Sequence, residues 1–137
     1  MKKSRIAVLA GMAGLLVFID SPAALAWSSA MQGARPGFES RTWTVKHDGS
    51  RASFRECRSH GRGPDQNTVL ISMWENVPLL PDHRIGARAR LSECFKGGRS
   101  SFGRDIPTGT SVYLRVDQVN GENQESTVDI GTIVVTE

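Results

Sequence analysis

A chain of 137 residues supplies one domain's worth of sequence, enough for a modest single core. Its two cysteines and three scattered histidines lack the spacing that prearranges zinc ligands, so no metal site of that kind is expected. The net charge of +3 conceals an asymmetry: residues 35–104 carry thirteen basic and seven acidic side chains, residues 105–137 one and six. The two halves are expected to neutralise each other on folding, with a working basic surface as the alternative.

At the N-terminus, Lys2, Lys3 and Arg5 precede an apolar run from Ile6 to Ile19. Ala24 and Ala26 then occupy the small-residue positions of a signal-peptidase site. Residues 1–26 are therefore read as a cleaved signal peptide, and the protein as secreted. The run falls short of the roughly 20 residues of a membrane span, so no span is expected after cleavage; an uncleaved anchor is the alternative. No cysteine follows the run, which argues against a lipoprotein anchor.

Residues 27–40 are rich in Ser, Ala, Gly and Gln, with a turn signal at Arg35-Pro36-Gly37, and are expected to form a flexible segment ahead of a single domain at 41–137. Residues 41–47 alternate as a strand with Trp43, Val45 and His47 inward. Asp48-Gly49 predicts a hairpin to a second strand at 51–57. Residues 58–66 read as an exposed loop. Residues 67–76 present apolar groups on both faces, as a central strand does. Two prolines exclude 77–82 from a sheet interior and make it a crossover. Residues 85–94 place small or apolar side chains at 85, 87, 89 and 91 against arginines at 88 and 90, giving one buried and one basic face. A turn at 96–101 and an irregular stretch at 102–109 lead to a strand at 110–120, with Val112, Leu114 and Val116 inward and Arg115 and Asp117 outward. Asn120-Gly121 marks a turn, and 126–136 is a last strand whose inward phase shifts at Gly131.

Six or seven short strands without helical periodicity predict an all-β protein, a single antiparallel Ig-like β-sandwich, with a small β-barrel as the alternative. Two cysteines in an exported chain imply one disulfide, Cys57–Cys94. The stretch Tyr113–Gly121, preceded by Pro107-Thr108-Gly109-Thr110, resembles the penultimate strand of a fibronectin type III or related immunoglobulin-like domain. That resemblance implies a tyrosine bonding back to the preceding turn. The order Cys57, Trp74, Cys94 is similar to the immunoglobulin order of cysteine, tryptophan, cysteine. Arginine outnumbers lysine twelve to two after residue 26, a usage that resembles exported actinobacterial proteins. These likenesses bear on architecture rather than function.

Candidate functional residues fall into three groups. Arg84, Arg88 and Arg90 should share a sheet face with Arg99 nearby, and arginine forks suit phosphate, sulfate or carboxylate. The expected ligand is an anionic cell-envelope polymer; no aromatics alternate with these arginines, so no specific nucleic acid is expected. Trp74, Val77, Leu79, Leu80 and Asp82 form a possible partner-binding loop of the kind an inhibitor presents to an extracellular protein, or else they cap the core. Asp65, Asp82 and Asp105 sit in loops and form a calcium candidate, although aspartates in turns more often bond their own backbone. No cofactor is expected. Gly-x-Ser-x-Gly, Ser-x-x-Lys and His-Glu-x-x-His motifs are all missing. A small extracellular hydrolase therefore ranks behind the two non-catalytic binding readings.

Overall fold

The computed structural model describes residues 26–137. The expected signal peptide, residues 1–26, lies outside the described residues apart from Ala26. The strands are β1 (Ala26–Ala34), β2 (Trp43–Thr44), β3 (Ser50–His60), β4 (Val69–Glu75), β5 (His83–Leu91), β6 (Arg99–Arg104), β7 (Ser111–Val119) and β8 (Thr127–Thr136), with one 3-10 turn at Glu93–Lys96 before β6. They form two antiparallel sheets, ordered β1-β8-β3-β6 and β2-β7-β4-β5. The protein is an all-β antiparallel sandwich, with two separate sheets in place of a closed barrel.

Alternation builds the core. Val69, Ile71 and Met73 of β4, Val112, Leu114 and Val116 of β7, and Ala52 and Phe54 of β3 are all essentially inaccessible. Each large aliphatic or aromatic side chain so buried contributes on the order of 1.5–3 kcal/mol. The inward phase of β8 does shift around Gly131: Val128 and Ile130 are buried before it, Ile133 and Val135 after it. β3 makes the same change between Phe54 and Cys57, through Glu56 at φ 58°. The two strands therefore stay in register with each other, Phe54 opposite Ile133 and Cys57 opposite Ile130. Cys57 is bonded to Cys94, tying β3 to the turn that delivers β6 beside it.

The structure corrects three expectations about connections. Residues 27–40 are not a flexible lead-in. β1 pairs with β8 from Ala26 opposite Thr136 to Ala34 opposite Val128, burying Met31 and Ala34. Residues 37–40 then bond along β7, Gly37 N–H to Val116 O at 2.7 Å and Ser40 N–H to Leu114 O at 2.8 Å. Edge strands bury few side chains, so their composition can resemble a linker's.

Asp48-Gly49 does not close a hairpin, because β2 pairs with β7 and β3 lies in the opposite sheet. Trp43 and Val45 face Ala52 and Phe54 across the core rather than side by side, and His47 is exposed. Residues 77–82 are not a crossover but the turn of the β4–β5 hairpin; the prolines sit beyond the paired residues, where no ladder donor is needed.

A cationic cleft as candidate functional site

Two bulges flank β4. In β7, Val116 lies opposite Ile71 and Gln118 opposite Leu70, so Asp117 is an extra residue without a partner on β4. In β5, Ile85 lies opposite Met73 and Ala89 opposite Ile71, so Gly86–Arg88 bulge past Ser72. Gly86, at φ 74°, allows that excursion. The Arg104 guanidinium, arriving from β6 in the other sheet, pins it by donating to the carbonyls of Ile85 (3.2 Å) and Ala87. A side chain at position 86 would run into Arg104. The expected alternation on this strand is thereby broken: Ile85 and Ala89 are half-buried and Leu91 buried, whereas Ala87 is exposed.

Bulges re-aim side chains, and these two bring Arg88 and Asp117 together over β4. Arg88 Nε lies 3.6 Å from Asp117 Oδ2, and Arg115 Nε lies 3.8 Å from Oδ1. The Arg115 guanidinium sits 5.4 Å from the centre of the Trp74 ring, a cation–π arrangement. Trp74 is oriented by its own indole N–H, which donates to the buried Ser72 Oγ at 2.8 Å. With Arg84, Gln118, Asn123 and the Pro36-Gly37 turn, these residues line a cleft of about 350 Å³. Three guanidinium groups against one carboxylate leave it net positive. The Asp117 side chain is only 9% exposed. Its Oδ2 and the neighbouring Arg115 Nε are buried without a hydrogen-bond partner in the chain. Both ion-pair distances exceed hydrogen-bond length, so donor and acceptor are charged, close and unsatisfied.

Of the four arginines predicted to bind ligand, Arg84 and Arg88 meet in this cleft. Arg90 does not: its guanidinium makes two hydrogen bonds to Asp65, at 2.8 and 3.0 Å. The Arg90 guanidinium holds the Asp65 carboxyl below its usual range. Arg99 lies on β6 in the opposite sheet, beside Arg55. Arg115 and Asp117 were legible as outward residues of their strand. What the sequence did not signal is that β7 lies two strands from β5 and that both bulge.

The loop residues divide similarly. Trp74 belongs to the cleft. Val77 is half-buried, while Leu79 and Leu80 stand in solvent, 102% and 65% exposed; these two leucines do not cap the core. Asp82 braces the loop from beneath, accepting from Val77 N–H at 3.0 Å and from the Tyr113 hydroxyl at 2.6 Å. Tyr113 thus reaches the β4–β5 turn and not the turn preceding its own strand. The bond from Tyr113 lowers the Asp82 pKa, while burial and that bond raise Tyr113's. Asp65 and Asp82 are therefore committed to protein partners and Asp105 is exposed. No group of three or more His, Cys, Asp or Glu able to hold a metal forms among the described residues, so the three aspartates do not assemble a calcium site.

Compared with protein-family models, curated proteins and solved structures, the chain matches none.

Proposed function

We propose that this protein is an exported, non-catalytic binding module that holds an anionic cell-envelope polymer in the Arg84–Arg88–Arg115 cleft. The observation that carries this reading is the convergence of three guanidinium groups on one aromatic-walled cleft with a single carboxylate among them. Guanidinium forks match carboxylate, sulfate and phosphate oxygens, and the open cleft suits one or two units of a chain. Export rests on the N-terminal sequence, and the Cys57–Cys94 bond agrees with an oxidising compartment. The test is retention on a cell-envelope fraction. Retention at low salt and release by roughly 0.5 M, where screening is nearly complete beyond a few ångströms, is expected for the native protein and is expected to vanish in Arg84→Glu/Arg88→Glu. Unchanged retention in that variant would sink the reading.

A second reading draws on Leu79 and Leu80. Two exposed leucines at the tip of a braced hairpin suit insertion into an apolar pocket of an extracellular protein, as an inhibitor loop does. Binding of that kind would ignore salt and collapse in Leu79→Asp.

A further inference from the structure

Resting on the cleft as an anion site, we infer that its ligand is an acidic saccharide, a sugar ring bearing both a carboxylate and hydroxyl groups, and that Asp117 is the residue that distinguishes it from a simple polyanion. A purely electrostatic anion site has no use for a carboxylate at its centre, because that charge repels the ligand. Here the carboxylate is nine-tenths buried, delivered by a bulge in β7, and presents an oxygen that accepts no hydrogen bond. A buried charged acceptor left unsatisfied carries a desolvation cost that a ligand donor would recover. Polyphosphate chains offer acceptors to the arginines and no hydroxyl donor to Asp117. A uronic acid offers both: its carboxylate fits the forks of Arg84 and Arg88, and its ring hydroxyls donate to the Asp117 carboxylate. The Arg115 guanidinium, whose Nε is the adjoining unsatisfied donor, meets a ring or hydroxyl oxygen. Trp74 supplies the apolar wall that a pyranose ring requires, and a volume of about 350 Å³ lies at the small-molecule end of binding sites.

The experiment uses the oxidised protein produced from the full chain, titrated with trigalacturonate, with polyphosphate and with neutral galactotriose, following the Trp74 indole N–H by NMR. Trigalacturonate should move that resonance and bind at least about tenfold more tightly than either control. Asp117→Asn provides a test of sign. Removing the charge lowers repulsion and should strengthen polyphosphate binding, while the weaker acceptor should reduce trigalacturonate binding by about tenfold. If the variant strengthens both ligands, the anion cleft stands and the saccharide inference falls. If neither anion moves the Trp74 resonance, the cleft reading falls with it. Should the variant fail to fold, the native protein still decides: equal affinity for trigalacturonate and polyphosphate overturns the inference, and selectivity for trigalacturonate over both controls upholds it.

Discussion

On the outward face of the β1-β8-β3-β6 sheet, Arg55 lies directly opposite Arg99, with Glu56, Ser53, Thr132 and Val134 around a groove of about 400 Å³. On the outward face of the other sheet, Arg84, Arg88 and Arg115 surround Asp117 against Trp74. Both grooves are open and both carry arginines. In the first, like charges face each other across strands, an arrangement that is mildly destabilising and is relieved by solvent. In the second, a buried carboxylate gathers the guanidinium groups and an aromatic ring gives them a wall. Both grooves contain a carboxylate, but Glu56 is exposed whereas the Asp117 side chain is only 9% exposed. The burial of that counter-charge and the aromatic wall make the difference, not the number of arginines.

The largest expected effect falls on the fold. The disulfide lies on the side of the sandwich away from the cleft, closing a loop between residues 37 apart in sequence. Cys57→Ser/Cys94→Ser should cost about 4 kcal/mol by loop-closure entropy, read as a lower urea midpoint, whereas the folded fraction should keep its affinity for trigalacturonate. Affinity lost in step with the bond would mean that the two faces are mechanically one. Next comes the direct contrast of the faces: Arg88→Glu should weaken anion binding by about tenfold or more, and Arg55→Glu by less than about twofold. Equal losses would erase the distinction drawn between the grooves.

A smaller effect concerns pH. The Thr108 hydroxyl, the Arg90 guanidinium and the Tyr113 hydroxyl hold Asp48, Asp65 and Asp82 below their ordinary value of 3.8, and the Gly33 N–H followed by His60 does the same for Asp129. For a depressed carboxylate, the stabilisation is complete above the unfolded value and is lost as pH falls through the lower folded value. Urea unfolding should therefore show stability steady from neutrality to about pH 5 and declining below 3.8. Tyr113→Phe should move the Asp82 titration, followed by NMR, up toward 3.8. An unmoved Asp82 would show that the hairpin is braced by Val77 alone. Smallest of all, Leu79→Asp should change stability by no more than about 0.5 kcal/mol, since that side chain touches solvent only; a larger loss in thermal unfolding would return it to the core.

Much of the fold was legible because period-2 alternation is a local property. Val112-Leu114-Val116 and Val69-Ile71-Met73 announce their inward faces without knowledge of their neighbours, and two cysteines admit one intrachain pairing. β1 escaped notice because an edge strand needs few apolar contacts. The hairpin at Asp48-Gly49 was misassigned because turn chemistry sets the bend and not the sheet that receives the next strand.

The candidate site was half legible for the same reason. Arg84 and Arg88 declare themselves as outward cations on one strand, whereas Trp74 reads as part of the partner-binding loop and not of an anion site. Arg90 and Arg99 read identically in sequence, yet Asp65 captures one and the opposite sheet carries off the other. Asp117 lies 29 and 33 residues along the chain from Arg88 and Arg84, and only the placement of β7 beside β4, with Asp117 bulged on one flank and Gly86–Arg88 on the other, brings its carboxylate under them. The sequence by itself determined an all-β chain, its inward faces and its covalent tie, since these follow from spacing along the backbone. The cleft was decided by tertiary structure alone, because strand order and bulge position depend on long-range packing and no local pattern encodes them.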